Sequence, residues 1–177
     1  MILSYKGKTP EIAADAFIAP TAVVTGDVVI GKDSSVWFNC VMRGDVHEIR
    51  VGERTNIQDG AIVHVTRGKF GCYIGSDITI GHGAILHGCT LRDGCFIGMG
   101  ATVLDGAVVE SGAMVAAGAV VTPGKVVKAG ELWAGNPAKL LRPLTDKDVA
   151  FFPVSAAHYA DLAQDYVLEL RDFSSEE

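Results

Sequence analysis

The sequence repeats with a period of six residues, and no other feature restricts its fold as strongly. Aliphatic side chains recur at every sixth position in two separate tracts of the chain. The positions are Ile12, Ile18, Val24, Ile30, Val36 and Met42 in the first tract, and Leu91, Ile97, Val103, Val109, Val115 and Val121 in the second. A period of six fits neither an amphipathic helix nor a simple alternating strand. It is typical of short strands that are separated by tight corners and stacked as a solenoid.

A small or slim residue follows most of these positions after four residues, and glycine often precedes it, as in "IGMGAT" and "VESGAM". The aliphatic residue and the small residue would both point inward, and glycine allows the positive φ that a tight corner often needs. Three such faces close a triangular coil of about 18 residues, and successive coils stack roughly 4.8 Å apart. The sequence therefore predicts an all-β parallel β-helix over residues 1–144.

The pattern continues with irregular steps between the two tracts. Its positions there are Val51, Ile57, Val63, Ile74, Ile80 and Leu86, with a step of eleven residues before Ile74 and a step of five before Leu91. The long step predicts an excursion at residues 65–73, which we expect to be a mobile loop. Counting from Ile12 to Val121 gives 18 faces, or six coils, and the solenoid should end near Pro137 and Pro143.

The remaining segment, residues 145–177, has helical character. Thr145 and Asp148 have the spacing of an N-terminal capping pair. An apolar stripe at helical spacing follows, formed by Leu162, Tyr166, Val167 and Leu170. We expect this C-terminal helix to pack on a side of the solenoid, and we expect Pro153 to split it.

Composition excludes several classes of partner. The formal net charge of the 177 residues is −6, and no run of lysine or arginine offers the basic surface that nucleic acid or an anionic membrane requires. The N-terminal residues contain no apolar run typical of a secretory signal, and no segment has the length of a membrane span. We therefore expect a cytoplasmic protein. Its four cysteines lack metal-site or disulfide spacing, so they should be reduced interior residues.

The coil count places two histidines together. The faces that begin at Met42, Val63 and Leu86 lie in one column, because every third face stacks. The residues one position further along are Arg43, His64 and His87. His64 and His87 would then be neighbours on successive coils, about one strand spacing apart, and could share a metal ion.

A third histidine, His82, lies at the neighbouring corner, in the same column position as Asp59. It is roughly 15 Å from His87 along the perimeter of the coil, whereas a zinc–nitrogen bond is about 2.1 Å long. A single chain cannot readily bring all three imidazoles to one ion, but a threefold-symmetric oligomer could. Three neutral imidazoles with an open fourth position are typical of catalytic zinc. The alternative is that these are unrelated polar residues on a solenoid wall.

Three motifs resemble the γ-class carbonic anhydrases and their close relatives, a family of left-handed hexapeptide-repeat β-helices. They are "RGD" at 43–45, "TNIQDGAIVH" at 55–64 and "IGHGAILHGC" at 80–89. The resemblance implies a homotrimer whose interfacial sites bind zinc, or in some members iron or cobalt, through His64, His82 and His87. It also implies intersubunit ion pairs of Arg43 with Asp45 and Asp59. By the same resemblance, Gln58 would hydrogen-bond the metal-bound water or hydroxide, Asn56 would support the substrate pocket, and Tyr159 would reach the site from the terminal helix.

The activity implied by this resemblance is the reversible hydration of carbon dioxide to bicarbonate. Well-known members carry an acidic loop after the first histidine, with a glutamate that moves protons to solvent. Here that loop contains Arg67 and Lys69 and no carboxylate, and Val46 replaces a second glutamate of those members. We therefore expect low to modest turnover that is limited by proton transfer.

Other functions remain open at this stage. Hexapeptide solenoids also include acyltransferases, which use one histidine as a general base, and "AGNPAK" at 134–139 occurs in both groups. A metal-dependent acyl-coenzyme A thioesterase and a noncatalytic carbonic anhydrase-like subunit are further alternatives. Arg43, Asp45 and Asp59 could serve only to hold a trimer together, and Tyr159 could be a packing residue of the helix.

Overall fold

The chain winds as a parallel, left-handed β-solenoid of about seven turns and ends in one long helix. This computed structural model describes residues 1–173; residues 174–177 of the predicted helical segment lie outside the described part. In chain order the elements are β1 (Ile2–Leu3), β2 (Glu11–Ile12), β3 (Phe17–Ile18), β4 (Val23–Ile30), β5 (Ser35–Val36), β6 (Val41–Val51), β7 (Asn56–Ile57), β8 (Ile62–His64), β9 (Cys72–Ile74), β10 (Thr79–Ile80), β11 (Ile85–His87), β12 (Thr90–Leu91), β13 (Phe96–Ile97), β14 (Thr102–Val103), β15 (Val108–Val109), β16 (Met114–Val115), β17 (Val120–Val121), β18 (Val126–Val127), β19 (Glu131–Ala134), β20 (Lys139–Pro143) and α1 (Asp146–Phe173).

Strand pairing stacks the aliphatic positions in three columns, which confirms the register predicted from the repeat. The first column is Ile12, Ile30, Val51, Ile74, Leu91, Val109 and Val127. The second is Ile18, Val36, Ile57, Ile80, Ile97, Val115 and Trp133. The third is Val24, Met42, Val63, Leu86, Val103 and Val121. The predicted count of six coils was too low, because Val127 and Trp133 extend two of the columns.

The corners between strands explain why glycine and a small residue recur in each repeat. Glycines at 94, 100, 106, 112, 118 and 124 all have φ between +65° and +69°, a conformation that costs glycine little. Asp33, Asn39 and Asp77 occupy comparable corners with φ of +53° to +59°, and these residue types tolerate the left-handed region better than most. The residue after a corner usually faces the interior of the coil. It is small and fully buried at positions such as Ala101 and Ala107, and Ile78 shows that a larger apolar side chain can also be buried there.

The four cysteines are buried and form no disulfide, as predicted for reduced interior residues. Burial raises the pKa of the Cys40 thiol to about 11 and raises that of Cys95 well above its usual range. Both thiols therefore stay protonated at neutral pH and act as small apolar side chains.

The excursion after His64 differs from the predicted loop over residues 65–73. Val65 is buried, Thr66 and Phe70 close a tight hairpin through paired backbone hydrogen bonds, and Cys72 already belongs to strand β9. We call residues 66–70 the insertion hairpin. The chain regains the sheet this early because β9 pairs with both β6 and β12. The tip of the hairpin, Arg67, Gly68 and Lys69, lies outside the ladder and is exposed.

The terminal helix α1 is continuous through Pro153, so the prediction that this proline splits the segment was wrong. Packing of the helix on the solenoid outweighs the one backbone hydrogen bond that proline cannot donate. The predicted cap is present: the Asp148 amide donates to Thr145 Oγ1, and the Thr145 amide donates to Asp148 Oδ2. Among residues 1–173, no helix is long and apolar enough to cross a lipid bilayer.

Helix α1 runs back along the second column, from the coil of Phe96 to the coil of Phe17. Phe152 stacks on Phe96 with ring centroids 5.3 Å apart. Further along, Trp37 contacts both Tyr159 and Tyr166, at 5.5 and 5.2 Å. The predicted stripe lies against the core, with additional buried contacts from Phe152, Ala156 and Ala163. This packing brings the first half of α1 beside the corner that carries His82.

Candidate metal centre and adjoining cavity

His64 and His87 are directly paired on strands β8 and β11, where the column count predicts them. Nδ1 of His64 lies 3.1 Å from Nε2 of His87. The other ring nitrogen of each histidine contacts a carboxylate: His64 Nε2 is 3.1 Å from Asp45 Oδ1, and His87 Nδ1 is 2.6 Å from Asp105 Oδ1. The two imidazoles thus face each other through one nitrogen each, and a carboxylate contacts the far nitrogen of each ring.

This arrangement fixes which nitrogen of each ring is available. A neutral imidazole that donates its N–H to a carboxylate has its lone pair on the other nitrogen. The lone pairs of His64 Nδ1 and His87 Nε2 then face each other, which is repulsive unless a cation or a proton lies between them. Burial, the largest influence, lowers the pKa of His64, and the positive charge of Arg43 lowers it further, against the opposing effect of Asp45. The fold therefore favours the neutral, metal-binding form of His64.

Asp45 joins Arg43 to His64. Its Oδ2 accepts a hydrogen bond from Arg43 Nη1 at 2.6 Å, while its Oδ1 faces His64. Burial by itself would raise the pKa of Asp45, but the hydrogen bonds from Arg43 and His64 lower it overall. Asp45 stays ionised and holds the His64 ring. The Arg43 side chain is about half exposed (48%), so in one chain it lies at the protein surface.

His82 stands at the next corner of the coil, stacked on Asp59. Its Nδ1 is 2.9 Å from Asp59 Oδ2, so Nε2 is the ring atom available to a ligand. Both side chains are 42% exposed. Within residues 1–173 of a single chain, no three histidine, cysteine or acidic side chains lie close enough together to hold one metal ion. His82 is thus not brought to the His64–His87 pair by folding alone, and Asp59 contacts His82 rather than Arg43.

A cavity of about 330 Å³ adjoins His82, between the second column and helix α1. Most of its wall is apolar, from Phe96, Met99, Met114 and Phe151. The polar groups at its edge are few and come from Gln58, Thr79, His82, Ser155 and Tyr159. An apolar cavity with a few converging polar groups is typical of a small-molecule site.

A buried chain of hydrogen bonds orients Gln58. Gln58 Nε2 donates to Asn56 Oδ1 at 3.0 Å, and Asn56 Nδ2 donates to Thr79 Oγ1 at 3.0 Å. Thr79 Oγ1 in turn lies 2.9 Å from Ser155 Oγ on helix α1. With Nε2 engaged, Oε1 is the Gln58 atom available to a ligand in the cavity. Asn56 is almost fully buried and is not among the cavity residues; its side chain contacts the cavity wall through Gln58 and Thr79.

Tyr159 reaches the cavity from helix α1 while its ring also packs on Trp37. Tyr159 is therefore a packing residue that also lines the cavity, and its role in a functional site stays a prediction. Burial raises the pKa of the phenol, and the negative charge of Asp59 raises it further. Tyr159 stays protonated at neutral pH, so it can donate a hydrogen bond but is a poor general base.

Four residues of this region were missed at the level of sequence. Asp105 contacts His87, and Thr66 contacts Asp105. Thr79 and Ser155 complete the chain of hydrogen bonds that begins at Gln58. One sequence signal for Asp105 exists: the five-residue step from Leu86 to Leu91 makes an unusual corner after His87, and Gly88 at this corner leaves the space that Asp105 Oδ1 occupies. Thr79 had no comparable signal, because a threonine beside a buried strand position is ordinary.

Comparison with known proteins agrees with the motifs at these positions. Residues 88–123 match the family model of the bacterial transferase hexapeptide (six repeats). Gamma carbonic anhydrase 1, mitochondrial, of Arabidopsis thaliana is 52% identical over 167 residues, which cover 92% of this chain and 61% of that protein. The carbonic anhydrase of Geobacillus kaustophilus is 45% identical over 166 residues, covering 94% of this chain and 91% of that protein. The chain belongs to the γ-carbonic anhydrase family.

Structures related to this γ-carbonic anhydrase family member carry other names. A crystal structure of a hexapeptide transferase family protein from Anaplasma phagocytophilum is 49% identical, with a TM-score of 0.90, and covers 94% of this chain and 98% of that one. The chain spans about three fifths of the length of the Arabidopsis relative. Family membership is thus established from sequence and fold together, whereas the names of relatives cover both lyase and transferase chemistry.

Proposed function

We propose that the protein catalyses the metal-dependent, reversible hydration of carbon dioxide to bicarbonate. The observation that carries this proposal is the pair of facing nitrogens, His64 Nδ1 and His87 Nε2, 3.1 Å apart. Two nitrogens that bind one tetrahedral zinc ion at about 2.1 Å lie about 3.4 Å apart, so the pair fits a metal ion with little movement. The carboxylates behind both rings, Asp45 and Asp105, are the partners that metal-binding histidines usually have.

The third ligand in this proposal is His82 of a neighbouring chain. His82 has its Nε2 available and sits at an adjacent corner of the triangular coil, which suits a homotrimer with one metal at each interface. Arg43 and Asp59 lie on the two surfaces that such an interface would bring together, and we propose that they form an intersubunit ion pair there. The family names of the relatives support a metal cofactor. We propose zinc, with iron or cobalt as alternatives.

A zinc ion held by three neutral imidazoles supplies a water whose pKa is lowered to about 7, and so a nucleophile at neutral pH. The chain provides the rest. Gln58 Oε1, fixed by Asn56, would accept a hydrogen bond and orient the nucleophile. The apolar wall formed by Phe96, Met99 and Met114 would admit carbon dioxide, which is itself apolar. Tyr159, protonated, would donate a hydrogen bond to a product oxygen.

The volume of the cavity favours one alternative, a metal-dependent hydrolase of acyl thioesters. About 330 Å³ is at the lower end of the range for sites that hold drug-sized ligands and is far more than carbon dioxide requires. A hydrolase for acyl thioesters, using the same metal centre, would use this additional space. An acyltransferase needs only one histidine as base, which leaves the paired His64 and His87 and their carboxylates without a purpose.

Metal content and activity measured on the same sample test the proposal. We expect the purified protein to bind close to one zinc, iron or cobalt per chain and to hydrate carbon dioxide, and we expect His87→Ala to lose both properties. His47→Ala is the matched control, because within residues 1–173 the His47 ring makes one hydrogen bond, in which its Nδ1 accepts from the neighbouring Glu48 amide. Acyl-coenzyme A hydrolysis without carbon dioxide hydration would favour the thioesterase. Absence of both activities in every metal form would leave a noncatalytic subunit.

The cytoplasmic location of the protein is a proposal that does not follow from its structure. The cytoplasmic location expected from the sequence stays a prediction, and the Arabidopsis relative carries "mitochondrial" in its name. Subcellular fractionation of the source cells with an antibody to this chain decides between the two.

A further inference from the structure

Asp105 connects the insertion hairpin to His87. Its Oδ1 accepts a hydrogen bond from His87 Nδ1 at 2.6 Å, and its Oδ2 accepts one from Thr66 Oγ1 at 2.7 Å. Asp105 stands on the coil after His87, and its side chain is 29% exposed. Both oxygens of the carboxylate are therefore engaged, one by the histidine and one by the first residue of the hairpin.

The backbone around this contact is shaped to allow it. A Cβ atom at Gly88 would lie 2.6 Å from Asp105 Oδ1 and 2.9 Å from Phe70 Cβ, both too close. A Cβ atom at Gly106 would lie 3.1 Å from the ring of Phe70. The hairpin thus rests on two glycines on successive coils, with Phe70 as its contact and Thr66 at its base. It is a packed part of the wall.

The three histidines differ in how firmly their carboxylates are held. Asp45, behind His64, is anchored by Arg43, and Asp105, behind His87, is anchored by Thr66. Asp59, behind His82, is more exposed and bonds only to His82 among the side chains of residues 1–173. His64 and His87, which one chain would contribute to the same metal ion, are therefore both oriented by an anchored carboxylate. The two anchoring residues, Arg43 and Thr66, come from different segments of the chain.

We propose that Asp105 and Thr66 are positioning residues of the metal centre, which hold His87 in the tautomer that presents Nε2 towards His64. This inference rests on the proposed metal function. A neutral imidazole that donates from Nδ1 must keep its lone pair on Nε2, and Asp105 is the acceptor that enforces this choice. The insertion hairpin thereby becomes part of the metal centre through Thr66, and its length and position in the chain acquire a functional reason. Loss of such a partner typically lowers metal affinity by about 10- to 100-fold.

Zinc affinity and histidine tautomer, measured separately, test this assignment. We expect Asp105→Ala to weaken zinc binding by about 10- to 100-fold in competition with a chelator. We expect Thr66→Val to weaken it less, and Thr66→Ser, which retains the hydroxyl, to bind as the wild type does. Asp93→Ala is the matched control, because Asp93 also accepts a hydrogen bond at a corner, from the amide of Ser76, but away from the histidines.

Nitrogen-15 NMR of the metal-free protein reads the tautomer without any metal or activity. We expect the His87 ring to carry its proton on Nδ1 in the wild type and in Thr66→Ser, and to become a mixture of tautomers in Asp105→Ala. Unchanged zinc affinity together with an unchanged His87 tautomer in a folded Asp105→Ala protein would overturn the inference. If the wild type binds none of zinc, iron and cobalt, the proposed function fails, and the NMR result still decides whether Asp105 positions His87.

Discussion

The hydroxyl groups of Thr79 and Ser155 lie 2.9 Å apart and join the solenoid wall to the terminal helix. Thr79 Oγ1 also accepts the hydrogen bond from Asn56, which in turn holds Gln58. One end of this buried chain is at the cavity beside His82, and the other end is on α1. The orientation of the Gln58 amide therefore depends on the docking of a helix whose Ser155 is 76 residues from Thr79 in sequence.

Breaking this chain should affect stability and the site together. Thr79→Val keeps the shape of the side chain but removes the partner of Ser155 Oγ and leaves Asn56 Nδ2 with only its 3.3 Å hydrogen bond to the Ile78 carbonyl, which costs about 1–3 kcal/mol of unfolding free energy. We expect kcat for hydration to fall more than KM rises, because Gln58 is proposed to orient the nucleophile. Urea unfolding and steady-state kinetics measure the two effects. Thr90→Val, at a position where the next coil already carries Val108, should change neither.

A shared metal centre predicts complementation between inactive chains. Chains with His82→Ala lack one proposed ligand and chains with His64→Ala lack another, so each alone should lose metal and activity. Mixed and refolded together, they should regain some intact interfaces. Mass spectrometry of the intact assembly confirms that the chains have mixed. No recovery in confirmed mixed trimers, or a metal-loaded monomer at micromolar concentration, would contradict the shared site.

The basic tip of the insertion hairpin predicts a proton-transfer limit. Arg67 and Lys69 are exposed and the hairpin carries no carboxylate, so protons released in each turnover must leave through buffer or through Asp45, Asp59 or Tyr159 by way of water. We expect hydration to accelerate with imidazole concentration, and Arg67→Glu to raise the rate at low buffer. Lys32→Glu, which makes the same change of charge elsewhere in the chain, should leave that rate unchanged. A fast rate that is independent of buffer would mean that another proton shuttle exists.

The lowered pKa of His64 predicts the acid sensitivity of the metal-free protein. Because the pKa is lower in the folded state than the unfolded value of about 6.5, the stabilising contribution of neutral His64 is complete above that pH and is lost as pH falls through the folded pKa. We expect the unfolding free energy, measured with a chelator present, to be lower at pH 5 than at pH 7.5. His64→Gln should reduce this difference. An equal difference in His64→Gln and in the exposed control His158→Gln would show that His64 does not contribute.

Local sequence was sufficient for the register of the solenoid, because each coil contacts only its neighbours and the six-residue period fixes which side chains face inward. His64 and His87 followed from that register, although they are 23 residues apart. The count of coils was short because the pattern continues past Val121 to Val127 and then to Trp133, which stands in place of an aliphatic side chain.

The sequence by itself determined the solenoid, its three columns and the pairing of His64 with His87, since these depend on a period that is written in the chain. Only the tertiary structure decided that α1 passes intact through Pro153, that Ser155 reaches Thr79 and that Asp105 links Thr66 to His87. These contacts depend on where a helix docks and how a short corner turns. Docking and corner geometry arise from the packing of whole surfaces, and the short step after His87 marks an unusual corner without identifying the residue that contacts the imidazole.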